Sequence, residues 1–350
     1  MAPAHLVYLS ERGDFDLELA RASQESIQRV TFLRLLWLLV IQAWDEIEIP
    51  EPLWMRFAVI NTTAVILIRL RDRLTSRKTM LFAYAIENGD LSARPLGAPI
   101  RSPRFWSAIS GVMGMVPLRQ LNRLAFGTQA AFDTYCSMYT RTFKQIGSAR
   151  WRIIDALPVR CACTIEGAAS GFVSEDAQRR EHFLFVGALE DRKRVDVLLN
   201  VWQALRQRRP NAELKIIGYG ERMAEVVARA QALEGVEVVE NPPRALIHEA
   251  YLWACTVVAP AGPYHRWNEQ VGLSIVEALA HGCTVVAHPR TGLSRELHQR
   301  GHYLAADGGD LVDAMNASAT CCRARSDVWS QLPATDGRVA ADQWLLSQRG

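Results

Sequence analysis

Residues 182–205 read HFLFVGALEDRKRVDVLLNVWQAL. The run His182 to Val186 is apolar without alternation, as a strand covered on both faces must be, Gly187 ends it, and an amphipathic stretch follows from Arg192 to Arg209. The exchange then repeats: AELKIIG (212–218), Glu221 to Leu233, VEVVE (236–240), Pro243 to Ala254, TVVAPA (256–261), Gly272 to His281, TVVAHP (284–289). Strand and helix periods that trade places over short joints specify a parallel sheet with helices on both faces, a Rossmann-like domain.

The N-terminal half is α/β as well, with weaker signals. LVYLS (6–10) reads as a strand, and Leu17, Ala20, Ile27 and Val30 fall on one helical face. AVINTT (58–63) and TMLFAYAI (79–86) read as strands around a helix near Ala64 to Leu74. Phe126 to Thr128 ends a further strand, and Thr134 to Gln145 is helical. The small, polar, periodless stretch GAASGFVSEDAQRR (167–180) marks the boundary. The expected organisation is a Rossmann-like domain over 1–168, a second over 169–325, and closing helices over 326–350.

Composition narrows the class. At 350 residues, 49% hydrophobic and 22% charged, the chain has material for two globular domains and is neither disordered nor a disulfide miniprotein. Lys+Arg 40 against Asp+Glu 37 leaves +3, too balanced for a whole-chain nucleic-acid footprint. The seven cysteines, several inside apolar runs, read as buried thiols in a reducing compartment. Cys161 and Cys163 have no second Cys/His pair at zinc spacing, so no metal is expected. MAPAHLVYLSERGDFD lacks the basic start of a signal peptide, and Phe32 to Trp44 is too short to span a bilayer, which points to the cytoplasm.

Ligands of such folds sit outside the carboxyl ends of the strands, so the strand-to-helix joints are where chemistry is expected. In Gly187-Ala-Leu-Glu-Asp-Arg-Lys-Arg194, the glycine allows close approach, and three cations stand where a helix N-terminus favours acids. A bound diphosphate would explain them, and so would a solvated basic turn. In Tyr264 to Leu273, the Gly272 and Leu273 amides can cradle an anion at a helix start. Glu277 lies in an otherwise apolar helix, where a carboxylate needs donors such as sugar hydroxyls or else a place at the surface.

Together FVGALEDRKRVDVLLNVWQAL, ELKIIGYGE, EVVENPPRALIHEAY and above all Glu269-QVGLSIV-Glu277 followed by ALAHGCTVVA resemble the donor domain of retaining GT-B glycosyltransferases of the family-4 type, glycosyltransferase group 1. The resemblance covers about residues 181–320 and implies two Rossmann-like domains facing across a cleft. It implies a nucleotide-diphosphate sugar donor of UDP or GDP type, no bound cofactor and no required metal. Lys193 would neutralise the diphosphate with help from the Gly272 and Leu273 amides, and Gly187 would admit the phosphates. Glu277 would bind the ribose hydroxyls, Glu269 the transferred sugar, and Glu240 to Arg244 would wall the base. Ala188 stands where the family carries Arg, with Arg192 near enough to substitute.

In the N-terminal half the expected Gly-rich turn is reduced to Gly13, and Glu87-Asn88 replaces the usual His-Asp, either lining the cleft or capping a strand end. Residues 91–152 hold nine Lys/Arg against Asp133, interleaved with an apolar segment from Phe105. That composition fits an anionic membrane surface or a lipid-linked or phosphorylated acceptor, and equally solvated arginines over a buried helix. The alternative to an enzyme is a non-catalytic GT-B scaffold that binds a nucleotide sugar or a partner enzyme. No nucleic-acid partner is expected.

Overall fold

The computed structural model describes residues 5–9, 26–89, 114–146, 148–161, 178–264 and 267–347. They divide into two compact units: one from Met1–Tyr84, Arg94–Leu124 and Arg141–Trp151, the other from Ala85–Ala93, Ala125–Thr140 and Arg152–Gly350.

Near the N-terminus β1 (His5–Tyr8) and β2 (Ser26–Arg29) pair in parallel, His5 opposite Ser26. Ile27 therefore lies on a strand, not on the helix that its spacing suggested. Thr31 caps α1 (Phe32–Ile41) by accepting from the Arg34 N–H at 3.3 Å. Then come β3 (Glu46–Glu48), α2 (Met55–Thr75), β4 (Met80–Ala85), β5 (Arg123–Phe126), α3 (Gln129–Ile146) and β6 (Trp151–Ile153). The four strands β3 to β6 form one sheet in chain order, with β3 and β4 parallel.

Residues 58–63, expected as a strand, belong to α2. Their β-branched composition favours a strand, but the buried positions Ala58, Asn61, Thr62, Val65 and Ile68 fall at helical spacing, and that burial outweighs local propensity. Asn61 donates to the Pro50 carbonyl at 3.0 Å, which satisfies its buried amide.

The second unit carries a six-stranded, wholly parallel sheet of β7 (His182–Val186), β8 (Glu213–Gly218), β9 (Val236–Glu240), β10 (Thr256–Ala259), β11 (Thr284–Ala287) and β12 (Tyr303–Leu304). Spatial order is β12-β11-β10-β7-β8-β9. Counted from β7, that is the doubly wound order 3-2-1-4-5-6 read from the other edge. The intervening helices are α4 (Val195–Arg208), α5 (Met223–Gln231), α6 (Arg244–Trp253), α7 (Leu273–Ala280) and α8 (Ser294–Gln299), and α9 (Gly308–Thr320) follows β12. Two further helices, α10 (Arg325–Trp329) and α11 (Gly337–Leu346), follow. Every residue of β10 and β11 is buried, in keeping with helices on both faces.

The cysteines correct one expectation. Cys255 and Cys322 form a disulfide, Cys136 and Cys161 are half-buried, Cys321 is exposed, and of these only Cys283 is a buried thiol. Helix α9 lies against β10, where the Thr256 and Ser318 hydroxyls meet at 3.0 Å, and so carries Cys322 to Cys255 at the start of the strand. No helix among the described residues is long and apolar enough to cross a membrane.

His302, just before β12, is buried and accepts the Val285 N–H on Nδ1 at 3.2 Å. Burial, followed by the nearby Arg323 and Arg300 charges, pushes its pKa down to about 3. The folded value lies below the unfolded value of about 6.5, so this contribution to stability is complete above that pH and is lost as pH falls toward about 3. Urea midpoints should drop across this window, and less steeply in His302→Gln. Parallel declines in the two proteins would show that other groups carry the acid sensitivity.

Candidate functional site

The strand order reverses between β7 and β10, so the joints leaving their carboxyl ends flank the crevice where open α/β sheets take ligands. After β7 the chain makes a single turn over Asp191–Lys193, and Arg194, at φ 55°, redirects it into α4. The three cations of this turn are held in three directions. Arg192 Nε donates to Glu190 at 2.5 Å, Lys193 pairs with the Glu269 carboxylate, and Arg194 pairs with Asp307. Arg192 and Lys193 both stand over the Trp267 ring, 4.9 and 5.3 Å from its centre.

Lys193 and Glu269 are mostly shielded from solvent, with side chains 17% and 13% exposed. The pair therefore brings together two of the residues singled out from sequence, drawn from two joints. Trp267, within the second joint, carries no individual signal in the sequence and is marked by its proximity to both cations.

Gly187 follows β7 and offers open room at its Cα, since a methyl there would touch only the Phe185 ring, at 3.6 Å. The tight approach is instead at Gly218, where a methyl would lie 1.9 Å from the Gly187 carbonyl oxygen. Gly218→Ala should thus push the β7 joint aside and cost about 1–3 kcal/mol, read as a lower urea midpoint. An unchanged midpoint would mean that the joint yields without cost.

Gly272 adopts φ 77°, a left-handed conformation suited to glycine, and sets the start of α7. Leu273 opens that helix with its side chain exposed, and its N–H belongs to the first turn, which finds no carbonyl within the helix. Glu277, one turn on, is 9% exposed. Its carboxylate pairs with Arg244 and accepts from the Tyr251 hydroxyl at 2.9 Å. Protein donors thus meet much of the hydrogen-bonding need expected of sugar hydroxyls. Arg244, assigned from sequence to the base pocket, here bonds Glu277. Burial pushes the Tyr251 phenol well above its ordinary pKa, and the adjacent Glu277 charge adds to this, so the hydroxyl stays a donor.

Glu87 and Asn88 are buried and tied to the joint that carries Glu269. Glu87 accepts from the Gly89 N–H at 2.7 Å and from Gln270 Nε2 at 2.8 Å. Asn88 donates to the Glu269 carbonyl at 3.0 Å, and Asn268 donates to the Asn88 carbonyl at 3.2 Å. The Asn88 side chain thus holds the Glu269 carbonyl, and the Glu87 carboxylate holds the neighbouring Gln270 side chain. Gly13 lies outside the described residues, as do Arg94, Arg101, Arg104 and residues 105–113 of the apolar segment that starts at Phe105.

A model of the family Glycosyl transferases group 1 matches residues 180–320, the stretch that carries both joints. The D-inositol 3-phosphate glycosyltransferase of Pseudarthrobacter chlorophenolicus is 32% identical over 179 residues, 44% of this chain and 40% of that protein. An uncharacterised glycosyltransferase of Haemophilus influenzae is 33% identical over 104 residues, 30% of this chain and 28% of that one. The chain therefore spans less than half the length of the curated relatives it matches.

Among solved structures, the lipopolysaccharide outer core galactosyltransferase WaaB superposes with a TM-score of 0.62 at 11% identity, over 98% of this chain and 89% of that one. Anabaena HepE in complex with UDP-glucose gives 0.58 at 14% identity, over 97% and 94%. At such identities the likeness establishes the fold, and the fold is GT-B.

Proposed function

We propose that this chain is a retaining glycosyltransferase that moves a sugar from a nucleoside diphosphate to an acceptor hydroxyl, with the donor held at the carboxyl edge of the β7–β12 sheet. The observation that carries this reading is the meeting of Lys193 and Glu269 from the two joints at the switch point, inside the segment that matches glycosyl transferases group 1. The solved HepE complexes hold UDP, which supports a donor of that class here.

The donor diphosphate brings concentrated negative charge to the Lys193 ammonium. It competes with Glu269 for that cation and releases the carboxylate to accept from hydroxyls of the transferred sugar. As the bond from sugar C1 to the diphosphate breaks, charge grows on the leaving oxygen, where Lys193, Arg192 and the Gly272 and Leu273 amides stand ready. These groups need no metal ion for that task. Glu277 accepts from the ribose hydroxyls, oriented beforehand by Tyr251 and Arg244. Asn88 positions Glu269 through its carbonyl, Glu87 holds the adjacent Gln270 side chain, and Gly187 leaves room for the phosphates. Retention follows from the family resemblance.

The acceptor is a lipid-linked, glycan or small-molecule hydroxyl. Within the described residues the support for an anionic membrane surface comes from α1, where Leu33, Trp37, Val40 and Ile41 are exposed on one face beside Arg34. Co-sedimentation with vesicles should rise with anionic lipid and fall in Trp37→Glu; equal, negligible binding in all cases removes the membrane from the reading. A cytoplasmic site of action belongs to this proposal, and the Cys255–Cys322 disulfide weighs against it.

Incubation with a panel of UDP- and GDP-sugars tests the activity itself. One donor should release its nucleoside diphosphate slowly alone and faster with acceptor. Release from none, while a nucleotide still binds, would favour the non-catalytic scaffold.

A further inference from the structure

Helices α6 and α7 face each other along matched positions. Arg244, His248 and Tyr251 lie at i, i+4 and i+7, opposite Glu277 and its neighbour one turn on, His281. The upper positions are Arg244 and Tyr251 on Glu277. The lower pair has a different chemistry: His248 Nδ1 and His281 Nε2 approach to 3.0 Å, and the Cys161 sulfur joins them, with one ligand atom of each residue lying within 4.8 Å of the others. We propose that Cys161, His248 and His281 bind a divalent zinc ion, with water in the fourth position.

The three side chains are fixed independently. The Cys161 N–H donates to the Ala280 carbonyl at 2.9 Å, which sets the cysteine beside the end of α7. His281 Nδ1 bonds the Glu277 carbonyl at 2.7 Å, so Nδ1 carries the proton and Nε2 directs its lone pair at the site. Arg325 donates to the His281 carbonyl, and the Tyr251 ring stacks on the imidazole at 4.9 Å between centres. A histidine whose other nitrogen is held by a carbonyl is the usual outer-shell arrangement of a metal-bound imidazole. Two imidazole nitrogens on a tetrahedral zinc ion stand about 3.3 Å apart, close to the separation present.

The donor set selects the ion. One thiolate with two imidazoles suits zinc and excludes the oxygen-seeking magnesium and calcium. His248 and Cys161 are half-buried, which leaves a route for the ion and for a water ligand. On binding, the Cys161 thiol proton passes to solvent and the sulfur bonds the metal. The ion would tie the segment before residue 162 to α6 and to the end of α7, and so steady the helix that carries Glu277. It takes no part in the proposed transfer chemistry.

The untagged full chain, cleared of metal by a chelator and dialysed against zinc chloride, should retain one zinc ion by elemental analysis and melt at a higher temperature than before. Cys161→Ser and His248→Ala should each lose that ion and the thermal gain. Cobalt substitution reports on the native sequence without any variant. A thiolate-to-cobalt charge-transfer band, with the intense visible bands of tetrahedral cobalt, is expected. The proposal is overturned if the native chain retains no stoichiometric zinc, if cobalt shows no thiolate band, or if both folded variants keep the ion. In the first case His248 simply donates to His281. None of these readings depends on sugar transfer, so the site can fail without the donor assignment failing, and the reverse.

Discussion

Lys193→Ala should lower kcat for sugar transfer by about 10²–10³, the usual cost of deleting one preorganised group that faces charge developing in a transition state. The effect should fall mainly on kcat. The ammonium already has a carboxylate partner without the donor, so part of its attraction for the diphosphate is offset in the ground state. Removing it also leaves Glu269 mostly buried without its cation, at a cost in folding that could be mistaken for lost chemistry. The double variant Lys193→Ala/Glu269→Gln relieves that repulsive burial. If it folds as the native chain does yet is far slower than Glu269→Gln alone, the loss caused by removing the lysine is catalytic. Near-native turnover in Lys193→Ala would remove the lysine from the transition state.

Glu277→Gln should weaken nucleoside diphosphate binding by about 1.5–3 kcal/mol, the range for hydrogen bonds to a charged group, or roughly ten- to a hundredfold. The substitution keeps the shape and one acceptor oxygen but removes the charge that holds Arg244. Arg244 is 58% exposed and can turn to water, so the variant should fold well. Tyr251 is buried and cannot, and its hydroxyl will hold the glutamine oxygen. The ribose then meets an amide in place of a carboxylate oxygen. Loss should appear in the donor KM and in nucleotide affinity alike, with kcat at saturating donor changed far less.

The second unit was legible because its central strands, β7, β10 and β11, are buried on both faces. HFLFV and the two TVVA runs therefore give apolar stretches with no competing helical reading, whereas the edge strand VEVVE keeps Glu237 and Glu240 exposed. Lys193 and Glu277 were legible because a cation at a helix start and a carboxylate in an apolar helix both violate local rules, whereas Glu269 was marked only by the family resemblance. The N-terminal half offers the reverse case. In α2 the residues Val59, Ile60, Thr62 and Thr63 favour a strand by propensity, and only their neighbours in space, such as Pro50 against Asn61, make the helix the better arrangement.

Partners from distant segments left less trace. Arg244 and Tyr251 could have been joined to Glu277 by noticing that they share one face of α6 with His248, while Glu277 and His281 share one face of α7. Nothing in the spacing of Cys255 and Cys322, 67 residues apart, forecasts their disulfide, since α9 alone carries one to the other. Glu87 and Asn88 illustrate a third limit. Their polarity at a strand end was plain, but that they anchor the peptide bearing Glu269 depends on the path of the chain after β10.

Isothermal titration of the native chain and of Glu277→Gln with UDP and with GDP addresses the donor site most directly. One of the two nucleotides should bind the native chain at a single site, and the variant should bind it at least about tenfold more weakly. Binding of neither nucleotide, or equal affinity in the two proteins, would contradict a donor site built on Lys193, Glu269 and Glu277.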